Sequence, residues 1–223
     1  MNVDISVVVP LYNEAESLPE LVAWVEKVCS GENYDYEIIL VDDGSSDGSW
    51  QIINELAAKK PFVRGIRFRR NYGKSAALYS GFQAVKGDVV ITMDADLQDD
   101  PAEIPNLISK IEEGYDLVSG WKKHRKDPIT RRLASRIYNY VTSIISGIKL
   151  HDFNCGLKAY RREVVESLDI YGELHRYLPV LANWQGFRVT EAIVKHHPRK
   201  YGKTKFGARR YTRGFFDLLT VTF

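Results

Sequence analysis

The chain has 223 residues, with 31 Lys and Arg against 29 Asp and Glu, 44% hydrophobic residues, 16 Gly and 8 Pro. This composition excludes a disordered or collagen-like chain and predicts one large folded domain rather than two small ones. Its two cysteines, Cys29 and Cys155, are too few for a disulfide framework, and no stretch reaches the ~20 apolar residues of a membrane-spanning helix, so a reducing, cytoplasmic setting is expected.

The elements follow in regular order. Ile5–Pro10 is a β-branched run of the kind buried in a parallel sheet, and Ser17-Leu18-Pro19-Glu20 reads as a capping box opening a helix to about Cys29. Glu37–Asp42 is a second strand, followed by a Gly- and Ser-rich turn and an amphipathic run from Ser49 to Lys59. Val63–Arg69 predicts a third strand, Ser75–Val85 a third helix, Val89–Met93 a fourth strand, and Pro101 to about Glu113 a fourth helix. Four successive β-then-α units imply a mostly parallel sheet with helices on both faces. Beyond them, Leu117–Ser119 and Val189–Val194 read as strands and Ile129–Ile145 as a helix. Residues 209–223 mix basic and bulky apolar side chains, as in a helix lying on a membrane surface, and the domain proper is set at 1–208.

Charge is unevenly divided along this order. Residues 1–118 carry 10 Lys and Arg against 21 Asp and Glu, whereas residues 119–223 carry 21 against 8. Two stretches, 122–136 and 195–213, hold seven and eight basic residues. Either stretch alone reads as a solvated surface. Together they describe an acidic part suited to a cation and a basic part suited to an anion.

In an open parallel sheet the ligand sits beyond the carboxyl ends of the strands, and the residues there are rich in carboxylates: Tyr12-Asn13-Glu14, Asp42-Asp43, and Asp94-Ala95-Asp96-Leu97-Gln98. Helix capping explains Ser46, Asp47 and Asp100, but not Asp94 and Asp96, which precede the cap before Pro101. On an extended chain these two would share one side, where like charges repel unless a cation lies between them. Hard oxygen donors favour Mg2+ or Mn2+, and such ions are commonly completed by substrate phosphates. No Gly-rich phosphate loop is present to do that work instead. The histidines lack metal-ligand spacing with any cysteine, and Cys155 reads as a buried hydrophobe.

Pro10-x-Tyr12-Asn13-Glu14, Val41-Asp42-Asp43-Gly44-Ser45-x-Asp47, Arg70-Asn71-x-Gly73-Lys74 and Met93-Asp94-Ala95-Asp96-Leu97-Gln98 resemble the successive motifs of family-two, GT-A fold, inverting glycosyltransferases. Ser119-Gly120, Asp152-x-x-Cys155-Gly156-x-Lys158, His175-Arg176-Tyr177-Leu178-Pro179 and Arg199-x-x-Gly202-x-x-Lys205 resemble the polyprenyl-phosphate and dolichyl-phosphate sugar synthases within it. The resemblance implies a Rossmann-like α/β fold and transfer of a hexose from a UDP- or GDP-linked donor to polyprenyl phosphate at a membrane's inner face. Pro10, Tyr12, Glu14, Asp42, Asp43, Lys74, Asp94, Ala95 and Lys122 would meet the nucleotide sugar, and Arg176, Arg199 and Lys205 the acceptor phosphate. Asp94, Asp96 and Gln98 would hold the metal, with Asp96 and Asp152 at the reacting centre. This chain has Lys122 where dolichyl-type members carry Arg, which makes that contact a point charge rather than a fork. A saccharide acceptor, and a non-catalytic module that binds anionic membranes, are the alternatives. Asp152 would serve as a base for a hydroxyl acceptor, whereas a phosphate monoester arrives largely ionised and needs holding rather than deprotonating.

Overall fold

The computed structural model describes residues 3–123 and 129–201. Lys205 and the tail 209–223 lie outside the described residues. Seven strands form one sheet: β1 (Ile5–Leu11), β2 (Tyr36–Asp42), β3 (Val63–Arg67), β4 (Val89–Thr92), β5 (Leu117–Trp121), β6 (Lys158–Arg161) and β7 (Val189–Ile193), in the order β3-β2-β1-β4-β6-β5-β7. The first four are mutually parallel, β7 is parallel to β5, and β6 runs antiparallel to both β4 and β5. Among the described residues seven α-helices accompany them: α1 (Leu18–Gly31), α2 (Ser49–Lys59), α3 (Lys74–Phe82), α4 (Ile104–Glu112), α5 (Ile129–Ser146), α6 (Arg162–Ser167) and α7 (Leu178–Trp184). Expectation and structure agree on a mostly parallel sheet flanked by helices.

All seven residues of β1 are buried because helices cover both faces of the strand. Val7 and Val9 join Leu21 and Val25 of α1 and Ile108 of α4 on one side. Val8, between them, joins Leu78 and Phe82 of α3 and Val180 of α7 on the other. Each such side chain contributes about 1.5–3 kcal/mol by leaving water. Helix α3 comes close to β1 at Gly81, where a Cβ would stand 2.4 Å from Val8 Cγ1. That approach places the first residue of α3, Lys74, over the end of β4.

Three local expectations are corrected. Ser17 is already helical (φ −88°, ψ −25°) and its hydroxyl donates to the Glu14 carbonyl, so the capping box does not form. Ser46 caps no helix; its backbone N–H and hydroxyl both turn to Asn13 Oδ1. The fourth helix opens as a 3-10 turn, Pro101–Glu103, capped by Asp100 through the Ala102 N–H, before α4 proper. Strand β6 and helices α6 and α7 have no counterpart in the sequence reading. Lys158 opens β6 while 3% exposed, and a charged residue at that position hides the strand's apolar character.

Candidate active site

The loops that follow β1, β2, β3 and β4 meet at one edge of the sheet, and side chains tie them together. Asn13 takes a left-handed conformation (φ 54°), and its Oδ1 accepts from the backbone N–H groups of Ser46 and Asp47 at 2.8 and 3.3 Å. The Asn13 and Glu14 N–H groups in turn donate to Ser45 Oγ and Ser49 Oγ. Asp42, fully buried at the end of β2, accepts from the Ser45 N–H at 2.8 Å. Asp43 accepts from the N–H groups of Tyr72 and Gly73 at 2.7 and 2.9 Å, which pins the β3–α3 loop onto the β2 end. Burial raises the Asp43 carboxyl above its ordinary range against the pull of these two donors. Asp42 and Asp43 therefore shape the turn, and Tyr12, 37% exposed, is the solvent-facing residue of the expected donor set on this side.

The acidic pair departs from the extended-chain expectation. Strand β4 ends at Thr92 and the chain turns at Ala95 and Asp96, with Leu97 at φ 62°. As a result Asp94 and Asp96 have separate partners. Asp94 Oδ1 accepts from Lys74 Nζ at the start of α3. Burial works to raise its carboxyl, but the Lys74 and Lys122 ammoniums outweigh it and hold the group below the usual carboxylate range. Asp96 Oδ2 accepts from Arg199 Nη2 at 2.5 Å and its Oδ1 from the Gln98 N–H at 3.1 Å. Burial first, and then the Asp94 charge, push the Asp96 carboxyl up to about 6 despite Arg199.

Arg199 arrives on a segment that returns across this edge. Asp99 bridges to His196, the His197 N–H donates to the Gln98 carbonyl at 2.9 Å, and His197 Nε2 lies 2.9 Å from Asp100 Oδ2. The Gln98 side chain donates to the His197 carbonyl at 3.3 Å and so fastens the returning segment. Arg199 also reaches Glu14 Oε1 at 3.5 Å, and Lys200 and Tyr201 both contact Glu20.

Behind the pair lies a second, largely enclosed layer that joins the expected Lys122 to Asp99, a residue the sequence did not single out. Asp99, 1% exposed, accepts the Asp94 N–H on Oδ2 and pairs through Oδ1 with Lys122 Nζ at 2.8 Å. Burial opposes the Lys122 charge, and Asp99, with Asp94 further off, more than restores it. Lys158 donates from Nζ to the Cys155 carbonyl; burial, with Lys74 nearby, lowers its ammonium's pKa and so favours loss of the proton. A narrow crevice lined by Pro10, Lys74, Asp94, Asn154, Lys158 and His175 opens from this layer. Ser75 Oγ and His175 Nδ1 are 2.9 Å apart at its wall.

The remaining expected residues divide. Asp152 is 1% exposed, accepts from the Asn154 N–H and offers its carbonyl to Ser119 Oγ. Arg176 is buried in the 3-10 turn Leu174–Arg176 and donates to Glu173 at 2.7 Å. Ala95 is buried in the core. Trp121 stacks on His151 at 4.0 Å with 12° between the rings, and His151 is held by Glu191. Cys155 is enclosed, and burial pushes its thiol to about 12, as expected of an inert small hydrophobe.

Two carboxylates at one strand end, each neutralised by a basic side chain, form a place that demands positive charge. Among the described residues no cluster of three His, Cys, Asp or Glu could hold a metal by itself. The donor set fits a hard divalent cation held by Asp94 and Asp96 and completed from outside the protein, with Lys74 and Arg199 displaced.

Residues 6–169 match the model of glycosyl transferase family 2. The chain is 43% identical over 218 residues to an undecaprenyl-phosphate 4-deoxy-4-formamido-L-arabinose transferase of Pseudomonas savastanoi pv. phaseolicola, covering 97% of this chain and 64% of that protein, just under two thirds of its length. Its fold is similar to that of glucosyl-3-phosphoglycerate synthase from Mycobacterium tuberculosis in complex with Mn2+, UDP-glucose and phosphoglyceric acid (TM-score 0.74, 20% identity, 97% of this chain and 80% of that one). A mannosyltransferase of Pyrobaculum calidifontis in complex with GDP-mannose and Mn2+ is also similar (TM-score 0.65, 20% identity, 87% and 56%). With the motifs, the sheet order and the family match in agreement, the chain belongs to glycosyl transferase family 2.

Proposed function

We propose that the chain transfers a sugar from a nucleoside diphosphate to a polyprenyl phosphate, with inversion at the anomeric carbon. The observation that carries this reading is the Asp94/Asp96 pair at the carboxyl end of β4, closed by Lys74 and Arg199. A divalent cation, Mg2+ or Mn2+, held by the two carboxylates would stabilise the charge that grows on the departing diphosphate. Lys74 and Arg199, released from their carboxylates, would then face the same phosphates. Tyr12 and Glu14, on the loop after β1, border the nucleoside.

The acceptor side follows from the phosphate's own chemistry. A phosphate monoester arrives as a nucleophile and attacks the anomeric carbon opposite the leaving group, so it must be held and neutralised. Arg176, Arg199 and Lys205 supply that charge. Asp152, buried and hydrogen-bonded through the Asn154 N–H, acts as an orienting group rather than a base. A seat on a membrane surface is supported by α5, where Tyr140 and Ile144, one turn apart, are 68% and 63% exposed. Among the described residues no helix is long and apolar enough to cross a membrane. The basic, apolar tail 209–223 would add to that surface contact.

The relatives name a 4-formamido pentose where the sequence reading expected a hexose, so the donor panel should hold both. The test is a set of UDP- and GDP-linked hexoses and 4-deoxy-4-formamido-L-arabinose, with Mg2+ or Mn2+, scored for released nucleotide and for glycolipid on undecaprenyl phosphate. Glycolipid formed only with metal supports the proposal. Sugar transfer to saccharides alone, or vesicle binding with no donor consumed, contradicts it.

A further inference from the structure

Gly156 lies between Asp152 and β6, and the backbone on either side of it is fixed. Lys158 Nζ donates to the Cys155 carbonyl, and Thr92 Oγ1 donates to the Gly156 carbonyl at 2.8 Å. This brings the Gly156 Cα against the two carboxylates of the β4 end. A Cβ at this position would stand 2.6 Å from Asp94 Oδ2, 2.7 Å from its Cγ and 2.9 Å from Asp99 Oδ2, closer than real side-chain carbons approach. On its other side Asp94 presents Oδ1 to Lys74. The carboxylate is thus wedged between an ammonium and a bare stretch of backbone.

We propose that Gly156 is a positioning residue that sets the direction in which Asp94 points. The inference rests on the reading of Asp94 as a donor-site carboxylate, given above. What the methyl group of an alanine would strike decides the outcome. Gly156 has no positive φ, so the backbone accepts an L-residue there. The nearest obstacle is the end of a partly exposed side chain that can rotate about its own bonds. Asp99, held by Lys122 and the Asp94 N–H, is the farther neighbour, with its Oδ2 at 2.9 Å, and needs to give the least. The larger displacement therefore falls on Asp94. Gly120 behaves differently: its Cβ would meet the Leu157 carbonyl oxygen at 2.8 Å, and backbone does not swing aside.

The experiment is Mn2+ binding in the presence of UDP or GDP, followed by electron paramagnetic resonance, together with thermal unfolding. Four proteins are compared: wild type, Gly156→Ala, Asp94→Asn and the double variant. The expected result is a cooperative melt for Gly156→Ala, Mn2+ affinity at least about tenfold below wild type, and a double variant no weaker than Asp94→Asn, as befits two changes acting through one group. Wild-type affinity in Gly156→Ala overturns the inference, as does an equal further loss in the Asp94→Asn background. Loss of the melting transition overturns it too, since Asp94 would then not have absorbed the methyl group. Failure of the wild-type protein to bind Mn2+ removes instead the reading of Asp94 and Asp96 as the metal site, and the inference with it.

Discussion

Arg199 donates to Asp96 at 2.5 Å, and this contact joins two residues 103 positions apart in the sequence. The guanidinium stands where a cation on Asp96 would stand, so under the proposed function metal binding and release of Arg199 would be one exchange. The exchange links the donor side to the 195–201 segment, which leads into the basic tail.

From this contact, Arg199→Ala is expected to act in opposite directions on binding and turnover. With Asp96 unpaired, Mn2+ affinity should rise about 3–10-fold, because a partly buried ion pair no longer competes. Turnover should fall at least about tenfold, because a charge that meets the diphosphate or incoming phosphate is gone. Calorimetric metal titration and steady-state kinetics check the pair; a parallel fall in both would contradict the exchange.

The acidity of Asp96 has a consequence for stability. Its folded-state value of about 6 lies above the ordinary 3.8, so the native protein keeps a proton that the unfolded chain has lost between these values. Metal-free wild type should therefore lose stability as pH rises from about 4 to about 6 and then level off. Asp96→Asn lacks this loss. The gap in melting temperature between the two should widen in the variant's favour by on the order of 5 °C over that interval, read by calorimetry at low metal.

Gly44 tests the scaffold rather than the chemistry. It has φ +73°, and a Cβ there would lie 2.4 Å from the Arg70 carbonyl carbon and 2.8 Å from its oxygen. Strain and backbone overlap act together, so Gly44→Ala should destabilise by about 3 kcal/mol or more, measured by urea unfolding. A change under about 1 kcal/mol would show that the β2 and β3 loops are not packed this closely.

The first four strands and the place of Asp94 and Asp96 were readable in the sequence because β-branched runs and strand-end carboxylates are local signals. Strand β6 was not. Its lysine is buried only because Cys155 offers a carbonyl, a fact of tertiary structure. The partners of the acidic pair were hidden for the same reason. Lys74 reaches Asp94 because α3 packs on β1 through Gly81, and Arg199 reaches Asp96 because the chain returns past Gln98 after β7. Asp99 looked like one more polar residue before a helix, and only its burial beside Lys122 shows it as the support beneath Asp94.

The most direct measurement is the affinity of the nucleoside diphosphate released in the donor panel, taken with Mn2+ and with chelator, for wild type and Asp96→Asn. The account expects metal to tighten binding at least about tenfold in wild type and to leave the variant, still folded by its melting curve, unchanged. Equal metal enhancement in both proteins would contradict it.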